Sequence, residues 1–278
     1  MTHSTARAPA AVIWLLYNPA RVLKGIELIK QIALSDRLDR LVVVWNGQGA
    51  VPTEAAGIQL KEARVEVVRG SNHGREFGGY QDGLDHLARS ANGGIYFLND
   101  TAGVHNYLPS YFVGALTSAA RRLSNREGVC VGHTDRALHV LEIAGLTGDS
   151  WVRSNLFYLD SIALQALDWK IYSPEINELI PGEGPEHFYA DELNPQMRAR
   201  LDHWLFQPGR GSWYEAAPLT AENANFMAGK ARSILQEYFF SMRVAHAGIM
   251  QSRTDMSSLK LFWLKLINRL GRESGRLK

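Results

Sequence analysis

The chain alternates short apolar runs with longer stretches whose apolar positions recur every three to four residues. Ala11 to Tyr17 is an unbroken apolar run that stops at Asn18-Pro19, the pattern of a strand covered on both faces. Val22, Ile26, Ile29 and Ile32 or Ala33 then recur at helical spacing up to Ser35-Asp36. Leu41 to Trp45 is a second, β-branched run, closed by the turn-forming Asn46-Gly47-Gln48-Gly49. A short helix around Glu54 and a third strand, Val65 to Val68, lead into a glycine-rich stretch beginning at Ser71. A helix from Tyr80 to Ala91 and a fourth strand, Ile95 to Leu98, follow it. Strands alternating with helices predict an α/β fold, a mostly parallel sheet flanked by helices.

Further along, the pattern predicts a helix over Ser110 to Arg122, strands at Val129 to Gly132 and Trp151 to Leu159, and a short helix from Ser161 to Leu167. The loop Pro181-Gly182-Glu183-Gly184-Pro185 is the strongest breaker in the chain, and Leu193, Met197 and Leu201 mark a helix after it. Thr220 to His246 reads as a long helix with Thr220 at its N-cap. The expected organisation is therefore a sheet domain over residues 1–219 and a helical C-terminal region over 220–278.

In parallel sheets, ligands collect outside the carboxyl ends of the strands. Here those ends carry Tyr17-Asn18, Asn46-Gly47-Gln48, the Asn72-x-Gly74-Arg75 stretch and Asn99-Asp100. Any one of them is explained as a turn that uses Asn and Gly for their dihedral freedom. Four in succession point to a binding edge, with glycine letting backbone approach a phosphate and Asp100 available to a divalent cation.

Composition narrows the classes. A formal net charge of +2 excludes a general nucleic-acid binder, which needs a concentrated basic face. The single cysteine, Cys130, forms no internal disulfide, and no Cys/His spacing suits zinc. No apolar run reaches the roughly 20 residues of a spanning helix, and no signal-like stretch follows the N-terminus, so a cytoplasmic location is expected. No Gly-x-Gly-x-x-Gly follows the first strand and no Gly-x-Ser-x-Gly is present, which argues against a nicotinamide enzyme and a serine hydrolase.

The order of these ends, with Asn72-His73-Gly74-Arg75-Glu76-Phe77-Gly78 and Asn99-Asp100-Thr101 as the nearest local matches, resembles the GT-A fold glycosyltransferases. Within that fold it is most similar to family 2 enzymes and to bacterial rhamnan-synthesis and polysaccharide glycosyltransferases, over Val12 to about Leu201. The resemblance implies that Tyr17, Asn18, Asn46 and Gln48 hold the base and ribose of a nucleotide-diphosphate sugar. Asn72, Gly74, Arg75 and Asp82 would lie beside the ribose and diphosphate. Asn99 and Asp100 would complete the site, Asp100 binding Mn²⁺ or Mg²⁺, and Asp191 or Glu192 would be the catalytic base. The family's Asp-x-Asp is here Asn99-Asp100-Thr101, with one carboxylate. The implied activity is sugar transfer to a glycan or lipid-linked acceptor of a bacterial surface polysaccharide, with inversion. A non-catalytic nucleotide-sugar-binding partner and a nucleotidyltransferase are the alternatives.

Two other features bear on partners. Arg75 suits either a phosphate or a loop-bracing carboxylate such as Glu76. From Ser257, Leu259, Phe262, Trp263, Leu266, Ile267 and Leu270 recur at helical spacing beside Lys265, Arg269, Arg272 and Arg276. Such a segment lies on an anionic membrane surface or packs on its own domain or on a twin subunit. Trp204, Trp213, Tyr214 and Phe226 suit either a core or a sugar platform.

Overall fold

The computed structural model describes residues 8–89, 93–104, 108, 110–124, 128–209 and 212–253, with Phe262, Trp263, Leu266, Ile267 and Leu270 beyond them. Strands β1 (Ala10–Leu16), β2 (Leu38–Trp45), β3 (Arg64–Arg69) and β4 (Ile95–Asn99) are joined through helices α1 (Val22–Ser35), α2 (Thr53–Ala56) and α3 (Arg75–Leu87). After α4 (Ser110–Leu123) come β5 (Val129–Ile143), β6 (Leu146–Leu159), α5 (Ser161–Ala166), α6 (Pro195–Leu205), α7 (Ala224–His246) and β7 (Met250–Arg253). Among the described residues these strands form one sheet of order β3-β2-β1-β4-β6-β5-β7. All pairs are parallel except β4 with β6 and β5 with β6. The α/β architecture and its mostly parallel sheet are thus those expected.

Successive side chains of a strand point to opposite faces, and β1 feeds two cores in this way. Val12, Trp14 and Leu16 join a cluster with α1 and α4 that includes Leu28, Ile32, Phe112 and Leu116. Ala11, Ile13 and Leu15 join the opposite cluster with Phe77, Tyr80 and Leu84 of α3 and Phe240 and Val244 of α7. Every residue of β1 is buried, so each large side chain contributes roughly 1.5–3 kcal/mol of apolar burial. This is why the strand reads as an unbroken apolar run.

The antiparallel hairpin of β5 and β6 is much longer than the apolar pattern implied. Ala144 and Gly145 make its tight turn with φ of +48° and +78°, the left-handed pair that a two-residue hairpin requires. The distal half of β5 is largely exposed, so no apolar run marks it. Beyond the parallel sheet, Leu141, Ile143 and Trp151 of this hairpin build a third cluster with Met197, Leu201 and Leu205 of α6 and Leu235 and Tyr238 of α7. The expected division at residue 220 meets no gap in packing, because α7 enters two of the three clusters and β7 pairs with β5. Thr220, expected at the N-cap, precedes α7: its amide N–H donates to Asn223 Oδ1 at 2.9 Å while Asn223 N–H donates to Thr220 Oγ1 at 3.4 Å.

Helix α3 begins at Arg75 rather than Tyr80. Most of the glycine-rich stretch is therefore helix, and its glycines allow close packing. A Cβ on Gly78 would stand 1.5 Å from the His73 carbonyl oxygen, and one on Gly83 would stand 2.6 Å from Ile13. The helix expected to run to Ala91 ends at Leu87, where Ala88 and Arg89 take φ of +48° and +62°; Ala91 itself lies outside the described residues. Gly78→Ala should accordingly lower the unfolding free energy by about 1–3 kcal/mol, the range for overpacking. Gly114→Ala in α4, where nothing stands within 4 Å of the added Cβ, should be neutral or stabilising by about 0.5–1 kcal/mol. Chemical denaturation of both variants checks the contrast.

Candidate functional site

The centre of the candidate site follows from strand register. In the parallel pair of β1 and β4, Leu15 stands opposite Asn99, so the next residue of each strand places Asp100 beside the chain leaving β1. Asp100 is buried to 3% exposure, and its Oδ2 accepts from the backbone N–H of Tyr17 at 3.0 Å and of Asn18 at 2.7 Å. Arg21, in the 3-10 turn Pro19–Arg21, reaches back to Asp100 Oδ1 at 3.4 Å. Asn18 caps that turn, its Oδ1 accepting from Ala20 N–H at 2.9 Å. The end of β1 is thus pinned to the end of β4 by one carboxylate.

The second strand end joins the first. Asn46 is buried, and its Nδ2 donates to the Tyr17 hydroxyl at 3.3 Å. Burial raises the Tyr17 phenol well above its ordinary value. Asn46 Oδ1 is buried without a hydrogen-bond partner among the described residues and packs against Gly70. Gln48 stands exposed in the turn that follows.

The third end is a left-handed path into α3. Asn72, Gly74 and Arg75 have φ of +58°, +69° and +52°. At Gly74 a Cβ would also meet the Tyr172 ring at 2.2 Å, so this position needs both the dihedral and the missing side chain. Asp82 braces the path from below, its Oδ2 accepting from Ser71 N–H at 2.7 Å and Ser71 Oγ at 2.9 Å. This holds Asp82 as a support of the loop.

Arg75 does not pair with Glu76. Its guanidinium lies on Gly229 of α7, where an added Cβ would come within 2.2 Å of Nη2, and it is close enough to Tyr17 to favour that phenol's ionised form. Arg75 and Gly229 border a cleft of about 720 Å³ together with Asn72, Tyr172, Phe226 and Ser233. That volume is within the roughly 300–1,000 Å³ of small-molecule sites.

Glu76 turns the other way. Its Oε1 accepts from Asn99 Nδ2 at 3.3 Å and its Oε2 from Ser154 Oγ at 3.3 Å. Ser154 N–H in turn donates to Glu237 Oε1 of α7 at 2.5 Å, and the Ser154 carbonyl accepts from the Tyr80 hydroxyl at 2.7 Å. Burial pushes the Glu237 carboxyl up to about 7, and the nearby charge of Glu76 acts in the same direction. Neither Glu76 nor Glu237 was singled out by the strand-end pattern as a site residue. The available signal for Glu237 was a lone acid inside the apolar stretch Ile234 to Phe240.

Asp191 and Glu192 stand apart from this group. Both are exposed in the turn ahead of α6. Nearby Asn194 donates to Glu142 at 3.4 Å, near the far end of β5. No hydrogen bond or ion pair joins Asp191 or Glu192 to Asp100, Glu76 or Glu237 among the described residues.

A divalent cation would find one protein carboxylate oxygen here, Asp100 Oδ1, because Oδ2 already accepts two backbone N–H groups. Among the described residues no group of three or more His, Cys, Asp or Glu side chains is placed to hold a metal ion. The residues fit a cation only as a one-carboxylate anchor whose other ligands come from a substrate's phosphates and water. Arg21 faces the same oxygen and partly neutralises it.

No family model matches this chain, and no curated protein matches it. Among solved structures, the chain is matched to that of 4-diphosphocytidyl-2C-methyl-D-erythritol synthase, with 16% identity, a TM-score of 0.35 and coverage of 62% of this chain and 83% of that one. Among the described residues no helix is long and apolar enough to cross a membrane. The C-terminal segment from Ser257 lies almost wholly outside the described residues; of it, Phe262, Trp263, Ile267 and Leu270 are exposed.

The raised Glu237 carboxyl has a consequence for stability. Its folded value of about 7 lies above the ordinary 4.5, so the native state binds more protons between the two. Stability should be fullest below about pH 4.5 for this group and fall as pH rises through about 7, by roughly 1–3 kcal/mol. Unfolding free energies measured from about pH 5 to 8 should show this decline in the wild type and a flatter profile in Glu237→Gln.

Proposed function

We propose that this protein transfers a sugar from a nucleotide-diphosphate sugar to a hydroxyl of a glycan or lipid-linked acceptor. The observation that carries the reading is the pinning of the first strand end to the fourth by one buried carboxylate, with the second end joined to it through the Tyr17 hydroxyl and a cationic group beside a cleft at the third. Asp100 fixes Tyr17 and Asn18, Asn46 holds the Tyr17 hydroxyl, and Arg75 stands at the cleft with no carboxylate in salt-bridge contact among the described residues. Departure of a nucleoside diphosphate builds negative charge on the phosphates, and a fixed cation beside them lowers the barrier. Arg75 supplies such a charge. A Mn²⁺ or Mg²⁺ ion anchored on Asp100 Oδ1 would add neutralisation of the diphosphate when bound.

Trp213 stacks on Phe226 with ring centroids 5.9 Å apart, Lys230 stands over Trp213, and Phe226 is half exposed on the cleft. An apolar ring face open to solvent is suited to a sugar ring. Exposed Phe262, Trp263, Ile267 and Leu270, beside the basic residues of 257–278, would bring the protein to an anionic membrane carrying a lipid-linked acceptor.

Nucleotidyl transfer is the second reading, and product analysis separates the two. Incubation with UDP-, GDP- and dTDP-sugars, with and without Mn²⁺, should release a nucleoside diphosphate detectable by phosphorus NMR. Pyrophosphate released from a nucleoside triphosphate and a sugar phosphate would instead favour nucleotidyl transfer. Asp100→Ala should weaken binding of the preferred nucleoside diphosphate at least about tenfold, about 1.4 kcal/mol, by calorimetry. Unchanged affinity would remove Asp100 from the site.

A further inference from the structure

Two carboxylates meet at Ser154 with no cation in salt-bridge contact with either among the described residues. Glu237 Oε1 receives the Ser154 backbone N–H at 2.5 Å, and Glu76 Oε2 receives its hydroxyl at 3.3 Å. The other oxygen of Glu76 is tied to Asn99 at 3.3 Å, the residue before Asp100. Contacts therefore run unbroken from the strand edge to α7. Neither residue is fully buried as a whole, although the Glu237 carboxyl itself is desolvated enough to be raised. Along α7, residues 226, 229 and 233 line the cleft, and Glu237 follows on the same face, one turn beyond Ser233.

A purely structural brace does not need this arrangement. A glutamine at 237 would accept the Ser154 N–H equally well, without placing a second acid beside Glu76. Adjacent acids in a protein interior resist simultaneous ionisation, and such pairs collect where protons are moved. The groups that face Glu237 are Glu76 and Tyr80 from α3, Ser154 from β6, and Lys230 and Tyr238 from α7. Of these only Lys230 favours its charged form by charge, against the opposing charge of Glu76 and burial.

We propose that Glu237, with Glu76 beside it, is the proton acceptor for the hydroxyl that attacks the donor sugar. The inference rests on the sugar-transfer reading above. In the step, the acceptor oxygen bonds to the anomeric carbon as the bond from that carbon to the phosphate oxygen breaks. The nucleoside diphosphate leaves with that bond's electron pair, and the hydroxyl proton passes to the Glu237 carboxylate. Asp191 and Glu192 then have no part in the proton transfer.

The test uses the full chain with the UDP-, GDP- or dTDP-sugar that it binds, and with water as the acceptor. Binding is followed by calorimetry and nucleoside diphosphate release is followed from about pH 5 to 9. In the wild type the rate should rise with pH through about 7. Glu237→Gln should bind the nucleotide within about threefold of wild type and release it at least about 100-fold more slowly, the range for loss of a general base. Glu76→Gln, which removes the neighbouring charge, should move the rise to lower pH. A Glu237→Gln protein that keeps the wild-type rate and pH profile overturns the inference and leaves the transfer reading standing. A wild type that binds none of these nucleotides or sugars overturns that reading, and the role of Glu237 with it. A melting temperature for each variant separates lost chemistry from lost fold.

Discussion

The candidate site depends on the parallel register between β1 and β4. Because Leu15 stands opposite Asn99, the carboxylate of Asp100 arrives where the chain turns away from β1 and its amides have no strand partner. Two backbone N–H groups and Arg21 satisfy it. A buried acid without such donors would be costly, and backbone amides without an acceptor would be costly too. A one-residue slip would carry Asp100 away from those amides and exchange the two core faces of the strand. Core packing and the polar edge are therefore specified by one register.

Helix α3 extends that dependence across the sheet. Its Gly78 sits against the His73 carbonyl and its Gly83 over Ile13, so the helix lies close to β1, and its first residues stand at the strand edge. Arg75 and Glu76 are neighbours in sequence with opposite tasks. Arg75 lies on Gly229 at the cleft, while Glu76 reaches inward to Asn99 and Ser154. Helix α7 closes the third side, presenting Gly229 and Ser233 to the cleft and Glu237 to Ser154.

The parallel half of the sheet was legible because strands buried on both faces must be apolar throughout, as Ala11 to Leu16 and Leu41 to Trp45 are. Its polar ends were legible as well: Tyr17, Asn46 and Asp100 are brought within one network. The distal halves of β5 and β6 were not, since a strand covered on one face alternates polar residues that resemble a loop. Some candidate residues serve local structure: Asn18 caps a turn and Asp82 holds Ser71. Glycines that suggested ligand approach pack a helix on a strand. Glu237 was illegible for a different reason. It stands 83 positions from Ser154, and no local pattern reports a contact made only when α7 folds over β6.

The edge formed by β1, β4 and the start of α3 is the proposed nucleotide site. Amide hydrogen exchange with and without a saturating nucleoside diphosphate, taken from UDP, GDP and dTDP, tests it most directly. The account expects added protection in Tyr17 to Arg21, in His73 to Phe77 and in Thr101 to Gly103. Nucleotide binding whose protection falls elsewhere, with these three segments unchanged, would contradict it.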